Sequence, residues 1–127
     1  MLPRTARMRS PQEFRHVVRQ GARTGRSTLV VHAAATSAAD GVKVGFVVPK
    51  AVGNAVMRNR VRRRLRHLVL GQLAATPLGT AVVVRALPPA ASRPAELPAD
   101  FVAAWGKTLQ RLHRRSTSQS PAASSSL

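Results

Sequence analysis

The residues best suited to chemistry lie in the nine-residue segment from Arg58 to Arg66. Six of these nine residues are arginine, and Asn59 is the only amide among them. Arginine binds phosphate groups through paired hydrogen bonds, so the cluster predicts a surface that binds a polyanion. Asn59 has both donors and an acceptor. It can hold a base edge, a 2′-hydroxyl or a neighbouring guanidinium, or it is a tolerated surface amide, and the residues alone leave these alternatives open.

The charge of the whole chain favours the same kind of partner. Its 127 residues include 21 Lys plus Arg against 4 Asp plus Glu, a formal net charge of +17. A solvated helix face is the ordinary explanation of a charge run, but Arg58, Arg62 and Arg66 stand one turn apart and repel one another. This excess of positive charge predicts a nucleic-acid partner. No membrane partner is expected, because no stretch approaches the roughly 20 apolar residues that cross a bilayer.

The sequence offers no convincing active site of its own. Its carboxylates fall on separate predicted elements, which argues against a two-metal nuclease, and there is no cysteine to bind a metal. The histidines can in principle supply an acid–base pair for metal-free RNA cleavage, but each has a simpler place on a basic helix face, in a cleft or in the core. We therefore expect no catalytic and no metal-binding residue. The acidic residues are Glu13, Asp40, Glu96 and Asp100, and the histidines are His16, His32, His67 and His113.

A first short helix is predicted over residues 11–20. Ser10 suits its N-cap, Pro11 suits the first helical position, and Glu13 completes a capping box with Ser10. Gly21 is expected to end this helix. The helix is amphipathic, so one side of it should pack on the rest of the domain.

Strands are predicted where β-branched residues concentrate. The ranges 27–35, 42–48 and 79–87 carry this pattern, and Ala22–Thr24 carries a weak version of it. The turn-like link TSAADG predicts that the first two of these strands pair as a hairpin. Residues 88–97, rich in proline and alanine, are predicted to form a loop.

Two further helices are predicted. The arginine-rich one covers 55–70 with Asn54 as its N-cap, and the last one covers 98–115. Phe101 and Trp105 lie at helical spacing in the last helix and are expected in the core. The apolar side of the arginine-rich helix should pack on the sheet, with the arginines on the opposite side. That apolar side comprises Met57, Val61, Leu65, Leu68 and Val69.

The predicted order, α-β-β-(β)-α-β-α, indicates a small single α+β domain with a three- to four-stranded sheet packed by helices. The domain spans 10–115, between a flexible basic arm over 1–9 and a disordered serine-rich tail over 116–127. The basic N-terminus lacks a following apolar segment of the kind found in secretory signals, which predicts a cytoplasmic protein.

The segment K-x-x-G-N-A-V-M-R-N-R-V-x-R-x-x-R, from Lys50 to Arg66, resembles the RNR signature of the bacterial ribonuclease P protein subunit. The stretches FRHVVRQG, VKVGFVV and TAVVVRALPPA resemble the first helix and two strands of that family, so the likeness covers roughly 3–115. It implies the fold described above, with an unusual left-handed βαβ crossover around the RNR helix. It also implies a subunit of the ribonucleoprotein that removes the 5′ leader of precursor tRNA.

In that family the RNA subunit is the catalyst and binds the Mg²⁺ cofactor. The resemblance therefore implies two partners, the catalytic RNA of ribonuclease P and precursor tRNA, with no small-molecule substrate. By position, the RNA-subunit contacts would be Lys50, Asn54, Arg58, Asn59, Arg60, Arg62, Arg63 and Arg66. The leader contacts, in a cleft between the first helix and the sheet, would be Phe14, Val18 and His32.

The chain departs from the family pattern around the leader cleft. Val18 stands where an aromatic residue is common, and His32 stands where tyrosine is frequent, so the stacking surface is smaller. Ala51 replaces a frequent second lysine, and Pro49 replaces a small polar residue.

The alternative function is a non-enzymatic basic RNA-binding module such as a ribosomal protein. A DNA-binding helix-turn-helix is disfavoured, because the basic helix follows a strand and not a partner helix.

Overall fold

A computed structural model describes residues 6–8, 10–36 and 41–118 of the chain. The predicted α+β class is confirmed, and in these residues the sheet has four strands. The helices and strands are α1 (Pro11–Gln20), β1 (Ala22–Gly25), β2 (Leu29–Ala35), β3 (Val42–Val47), α2 (Ala55–Leu70), β4 (Thr80–Ala86), α3 (Pro89–Ser92) and α4 (Leu97–Ser118), with 3₁₀ turns at Lys50–Val52, Leu73–Ala75 and Pro94–Glu96.

The start of α1 follows the predicted pattern in part. The Ser10 side chain accepts a hydrogen bond from the backbone N–H of Gln12 at 3.2 Å, and Pro11 occupies the first turn. The capping box with Glu13 is wrong, because the Glu13 side chain forms no hydrogen bond with any described residue. The helix stops before Gly21, where a Cβ would lie 2.4 Å from the carbonyl oxygen of Val17 and 2.5 Å from that of Ala33 in β2. The missing side chain at Gly21 therefore allows the end of α1 to lie close against the sheet.

The sheet order is β1-β2-β4-β3, so the predicted hairpin between the second and third strands is wrong. The weakly signalled strand β1 is the hairpin partner of β2, and β4 lies between β2 and β3. β4 is buried along both faces from Thr80 to Val84, which favours a central position for a strand so rich in valine. β3 and β4 are parallel and are connected through α2, which confirms a βαβ unit. Its left-handedness stays a prediction.

The two faces of the sheet are covered differently. Leu29, Val82 and Val84 point towards α2 and α4 and belong to the main core. The alternate residues, among them Val83, point towards α1 and form a smaller cluster with Val17. Helix α1 has ten residues and covers part of this second face, and a shallow pocket lined by Met8, Phe14 and Val44 lies beside it.

Phe101 and Trp105 are buried in the main core, as predicted, with ring centroids 5.2 Å apart. The Trp105 indole donates a hydrogen bond to the Thr76 hydroxyl at 3.2 Å. None of the helices in the described ranges is both long and apolar enough to cross a membrane.

Asp100, near the start of α4, joins that helix to the turn between β1 and β2. Its Oδ2 accepts hydrogen bonds from the Thr28 hydroxyl at 2.7 Å, the Thr28 backbone N–H at 3.2 Å and the Ser27 hydroxyl at 3.1 Å. Burial by itself raises the pKa of Asp100, but the hydrogen bonds from Thr28, Ser27 and Arg26 lower the pKa by a larger amount. The pKa therefore lies below its ordinary value of 3.8. Asp100 is therefore held as a buried carboxylate.

Both ends of the described domain differ from the prediction. Ala6 and Met8, assigned to the flexible arm, are buried, and Arg7 forms a parallel bridge with Val44 of the edge strand β3. Helix α4 continues to Ser118, beyond the predicted end at 115. The rest of the predicted arm and tail, and also Asp40, lie outside the described residues; these are 1–5, 9, 37–40 and 119–127.

The segment 88–97, predicted as a loop, contains α3 and the Pro94–Glu96 turn before α4 begins at Leu97. Prolines at the first positions of both short elements explain the difference. Proline has its φ fixed near the helical value and needs no N–H partner at a helix start. Composition suggested a loop because these same residues also occur in turns.

Candidate nucleic-acid interface

The start of α2 is fixed by three consecutive structural features. The chain makes the turn Lys50–Val52, passes through Gly53 with a φ of 154°, and enters the helix at Asn54. A Cβ at Gly53 would lie 2.9 Å from the sulfur and 3.0 Å from the Cβ of Met57, so both the backbone conformation and the available space favour glycine. The Asn54 side-chain oxygen accepts a hydrogen bond from the Met57 N–H at 2.9 Å, which confirms the predicted N-cap.

The apolar side of α2 anchors it on the sheet, as predicted for Val61, Leu65 and Val69, which are fully buried. Leu68 is only half-buried, and Met57 is 37% exposed. Met57 differs from the prediction because it lies in the first turn, where its side chain packs against Gly53 and not on the sheet. The buried residues fix the rotation of the helix, and hence the direction of its arginines.

The arginines predicted to lie opposite the apolar side of α2 are divided over two sides of the helix. Arg62 and Arg66 line a shallow pocket of about 170 Å³ beside the edge strand β3. Arg63 lines a separate groove on the other flank, with Arg64. Arg60 is exposed. The walls of the shallow pocket also include Arg7, Met8, Phe14, Val44 and Phe46.

Asn59 is exposed in the middle of the arginines, and its Oδ1 accepts a hydrogen bond from Arg62 at 3.4 Å. Of the alternatives that the sequence left open, contact with a neighbouring guanidinium is the one observed. Arg58 is half-buried, and its Nε has no hydrogen-bond partner among the described residues. Lys50 is exposed just before the helix. The predicted RNA-subunit residues thus lie along one helix and its entry turn.

The second sheet face carries basic residues on three neighbouring strands, with exposed Arg23 and Arg85 on either side of a buried His32. Arg23 in β1 stands opposite His32 in β2, which stands opposite Val83 in β4. His32 is 6% exposed, and its Nδ1 is buried without a hydrogen-bond partner in the part of the chain that the structure describes. Burial lowers the pKa of His32 below 6.5, and the charges of Arg23 and Arg85 lower it further. A neutral imidazole between two guanidinium groups is therefore favoured.

The three predicted leader residues share one face of the domain but do not touch as a group. The Phe14 ring lies directly over Gly45, where a Cβ would come within 2.4 Å of it. Gly45 is in the same sheet row as His32, two strands away, a separation of roughly 10 Å. Val18 is 42% exposed on α1 and belongs to neither core cluster. Of the two aromatic rings at these three positions, that of Phe14 is half-exposed, whereas the imidazole of His32 is buried.

The sequence profile of the family described as Ribonuclease P matches residues 2–112 of the chain. The chain belongs to the ribonuclease P protein family. It is 54% identical over 92 residues to the ribonuclease P protein component of Beutenbergia cavernae, covering 72% of this chain and 77% of that protein. It is 49% identical over 121 residues to that of Streptomyces bikiniensis, covering 88% of this chain and 95% of that protein.

Solved structures of ribonuclease P proteins have the same fold. The Staphylococcus aureus protein aligns with a TM-score of 0.71 at 22% identity, covering 80% of this chain and 93% of that one. The Thermotoga maritima protein aligns with a TM-score of 0.66 at 20% identity, covering 76% of this chain and 92% of that one. Family membership decides between the two functions weighed from the sequence. The relatives are protein components of ribonuclease P, so membership of this family supports that function and not the ribosomal-protein alternative.

Sequence reasoning missed three basic residues that lie beside the predicted contact residues. Arg7 was assigned to a flexible arm, although it lines the pocket beside Arg62. Arg23 and Arg85 flank His32, and strand alternation is the signal that relates them, but only once the order of the strands is known.

The described residues contain no group of three or more histidines or carboxylates able to hold a metal ion. Asp100 is committed to Thr28, Ser27 and Arg26, and Glu96 pairs with Arg93 at 3.4 Å. Mg²⁺ prefers carboxylate and water oxygens in an octahedral site. The donor set of the described residues therefore does not fit a protein-bound Mg²⁺.

Proposed function

We propose that the chain binds the catalytic RNA of ribonuclease P through an RNR face on α2. The observation that carries this proposal is a helix surface of arginines, none of which forms an ion pair with a described carboxylate. Such unpaired guanidinium groups repel one another unless phosphates neutralise them. Lys50 extends the face at its start, while Asn54 acts through the helix cap. The RNR face comprises Arg58, Asn59, Arg60, Arg62, Arg63 and Arg66.

The groove between α1 and the sheet is proposed to bind the 5′ leader of precursor tRNA. Phe14 supplies one ring for base stacking, and Val18 supplies apolar contact. His32 would form part of the floor between Arg23 and Arg85, and these two exposed guanidinium groups would bind leader phosphates. Because one ring is available where the family often has more, phosphate contacts should carry a larger share of leader binding here.

The chemical step is assigned to the RNA. Mg²⁺ bound by the RNA subunit would supply the chemistry of the step, by activating water and stabilising the leaving oxygen as the leader phosphodiester is hydrolysed. The residues of this chain bind and orient the two RNAs. A cytoplasmic location, with no small-molecule substrate, accompanies this role.

Reconstitution tests the proposal. Cleavage of precursor tRNA by the ribonuclease P RNA at low Mg²⁺ should rise when the full chain is added. Arg60→Glu should weaken binding to the RNA subunit about ten-fold or more, because a charge-assisted hydrogen bond contributes about 1.5–3 kcal/mol. Arg60 is exposed and has no partner in the described ranges, so folding should be unaffected.

The matched control is Arg114→Glu, the same charge reversal at an exposed position on α4. It should change RNA affinity much less than Arg60→Glu at moderate salt. Equal losses from both variants would mean that total charge, and not the RNR face, determines binding. No stimulation of cleavage by the wild-type chain would contradict the proposed function itself.

A further inference from the structure

A second groove lies on the flank of α2 that faces away from the leader groove. It runs between the C-terminal half of α2 and the start of α4, and its volume of about 480 Å³ falls in the range of roughly 300–1,000 Å³ typical of small-molecule sites. The RNR signature does not account for it, because five of its seven lining residues lie outside the signature, at 67–68, 94 and 97–98. The lining residues are Arg63, Arg64, His67, Leu68, Pro94, Leu97 and Pro98.

The inner walls of this groove are apolar and lack donors. Leu68 is half-buried and presents apolar surface, and the fully buried Leu97 beside it adds no polar side-chain group. Pro94 and Pro98 have no backbone N–H. A free phosphate alone would find little to bind within these walls. The interior instead suits a flat body that makes van der Waals contacts.

The rim of the groove has the opposite character. Arg63, Arg64 and His67 are exposed, and their side chains form no hydrogen bond or ion pair with any described residue. The nearby carboxylate of Glu96 is paired with Arg93 at 3.4 Å and so does not neutralise them. The groove therefore combines an apolar slot with a cationic edge. Its ligand should have a flat apolar body and an anionic edge.

We propose that this groove binds an unpaired nucleotide of the RNA subunit. The base would lie between the prolines and Leu68, and its phosphate would contact Arg63 and Arg64. A nucleotide is favoured over an acidic peptide because arginine both stacks on bases and binds phosphate through paired hydrogen bonds. The site is also continuous with the RNR face on the same helix. The inference rests on the proposed function, since it assumes an RNA partner.

Methyl NMR of the full chain tests the site with small probes. The Leu68 methyl groups report on the groove directly. Adenosine 5′-monophosphate and ribose 5-phosphate carry the same sugar and phosphate, so they differ only in the base. We expect the nucleotide to shift the Leu68 signals and to bind with an affinity about five-fold or more above that of ribose 5-phosphate. Stacking on one base is worth about 1–3 kcal/mol, which accounts for this ratio. Equal affinity, or no shift with the nucleotide, would overturn the proposal.

Variants separate this groove from other basic surfaces. The double variant Arg63→Ala and Arg64→Ala should weaken the nucleotide-induced shift of Leu68, whereas Arg114→Ala should leave it unchanged. A glutamate-rich peptide containing phenylalanine that shifts Leu68 at lower concentration than the nucleotide would instead indicate a protein partner. The outcome is independent of the reconstitution. If the chain stimulates cleavage but Leu68 shows no preference for the base, the groove proposal fails and the proposed function stands.

Discussion

Asp100 connects α4 to the turn between β1 and β2, and its removal should cost the domain much of its stability. Thr28 is fully buried, and both its hydroxyl and its N–H donate only to Asp100. Asp100→Ala leaves both donors unpaired. An unsatisfied buried donor costs about 1–3 kcal/mol, so we expect a loss of about 3 kcal/mol in the free energy of unfolding. At roughly 4 °C per kcal/mol for a domain of this size, Tm should fall by about 12 °C.

Urea denaturation followed by tryptophan fluorescence measures this loss, because Trp105 is the single tryptophan of the chain and is buried. Glu13→Ala removes a carboxylate that has no hydrogen-bond partner in the described ranges, and should change stability by about 0.5 kcal/mol or less. A double-mutant cycle with Thr28→Val should give a coupling of about 1 kcal/mol or more. A loss from Asp100→Ala no larger than that from Glu13→Ala would refute the reasoning.

The same carboxylate predicts a dependence of stability on pH. Its pKa is lowered in the folded chain, so as the pH falls the unfolded chain takes up the proton first. The contribution of Asp100 is complete above the ordinary value of 3.8 and is lost as the pH falls through the lower folded-state pKa. Asp100→Ala should lack this acid-dependent loss, and an unchanged acid profile in the variant would contradict the assignment.

Two further predictions concern the leader groove. Gly45→Ala should displace the Phe14 ring, destabilise the domain by about 1–3 kcal/mol and weaken leader binding without changing affinity for the RNA subunit. The matched Gly106→Ala, where a Cβ meets nothing within 4 Å, should instead stabilise α4 by about 1 kcal/mol, and similar effects from both variants in urea denaturation would argue against the contact. Because the pKa of His32 is lowered, the unfolded chain binds its proton as the pH falls below 6.5, so stability should decline there. His32→Phe should abolish that decline in pH-dependent denaturation, and its persistence would show that another group causes it.

The parts of the fold that were predictable depend on neighbours along the chain. The cap at Asn54, the extent of α2 and the extent of α1 follow from side chains within one or two helical turns. The hairpin prediction failed because a turn signal at 36–41 reports only that the chain reverses. It cannot show that β4, some 40 residues later, inserts between the two strands.

For the candidate site, the sequence by itself determined the binding chemistry. The arginines of α2 and the absence of neighbouring carboxylates are properties of composition and helical period, which survive any arrangement of the sheet. Tertiary structure alone decided which groups meet. Arg62 turns towards Phe14 while Arg63 turns towards Pro94, because the buried side of α2 fixes its rotation. Arg23, His32 and Arg85 converge because hydrogen bonding between strands sets their register, and no local pattern in the chain encodes that pairing.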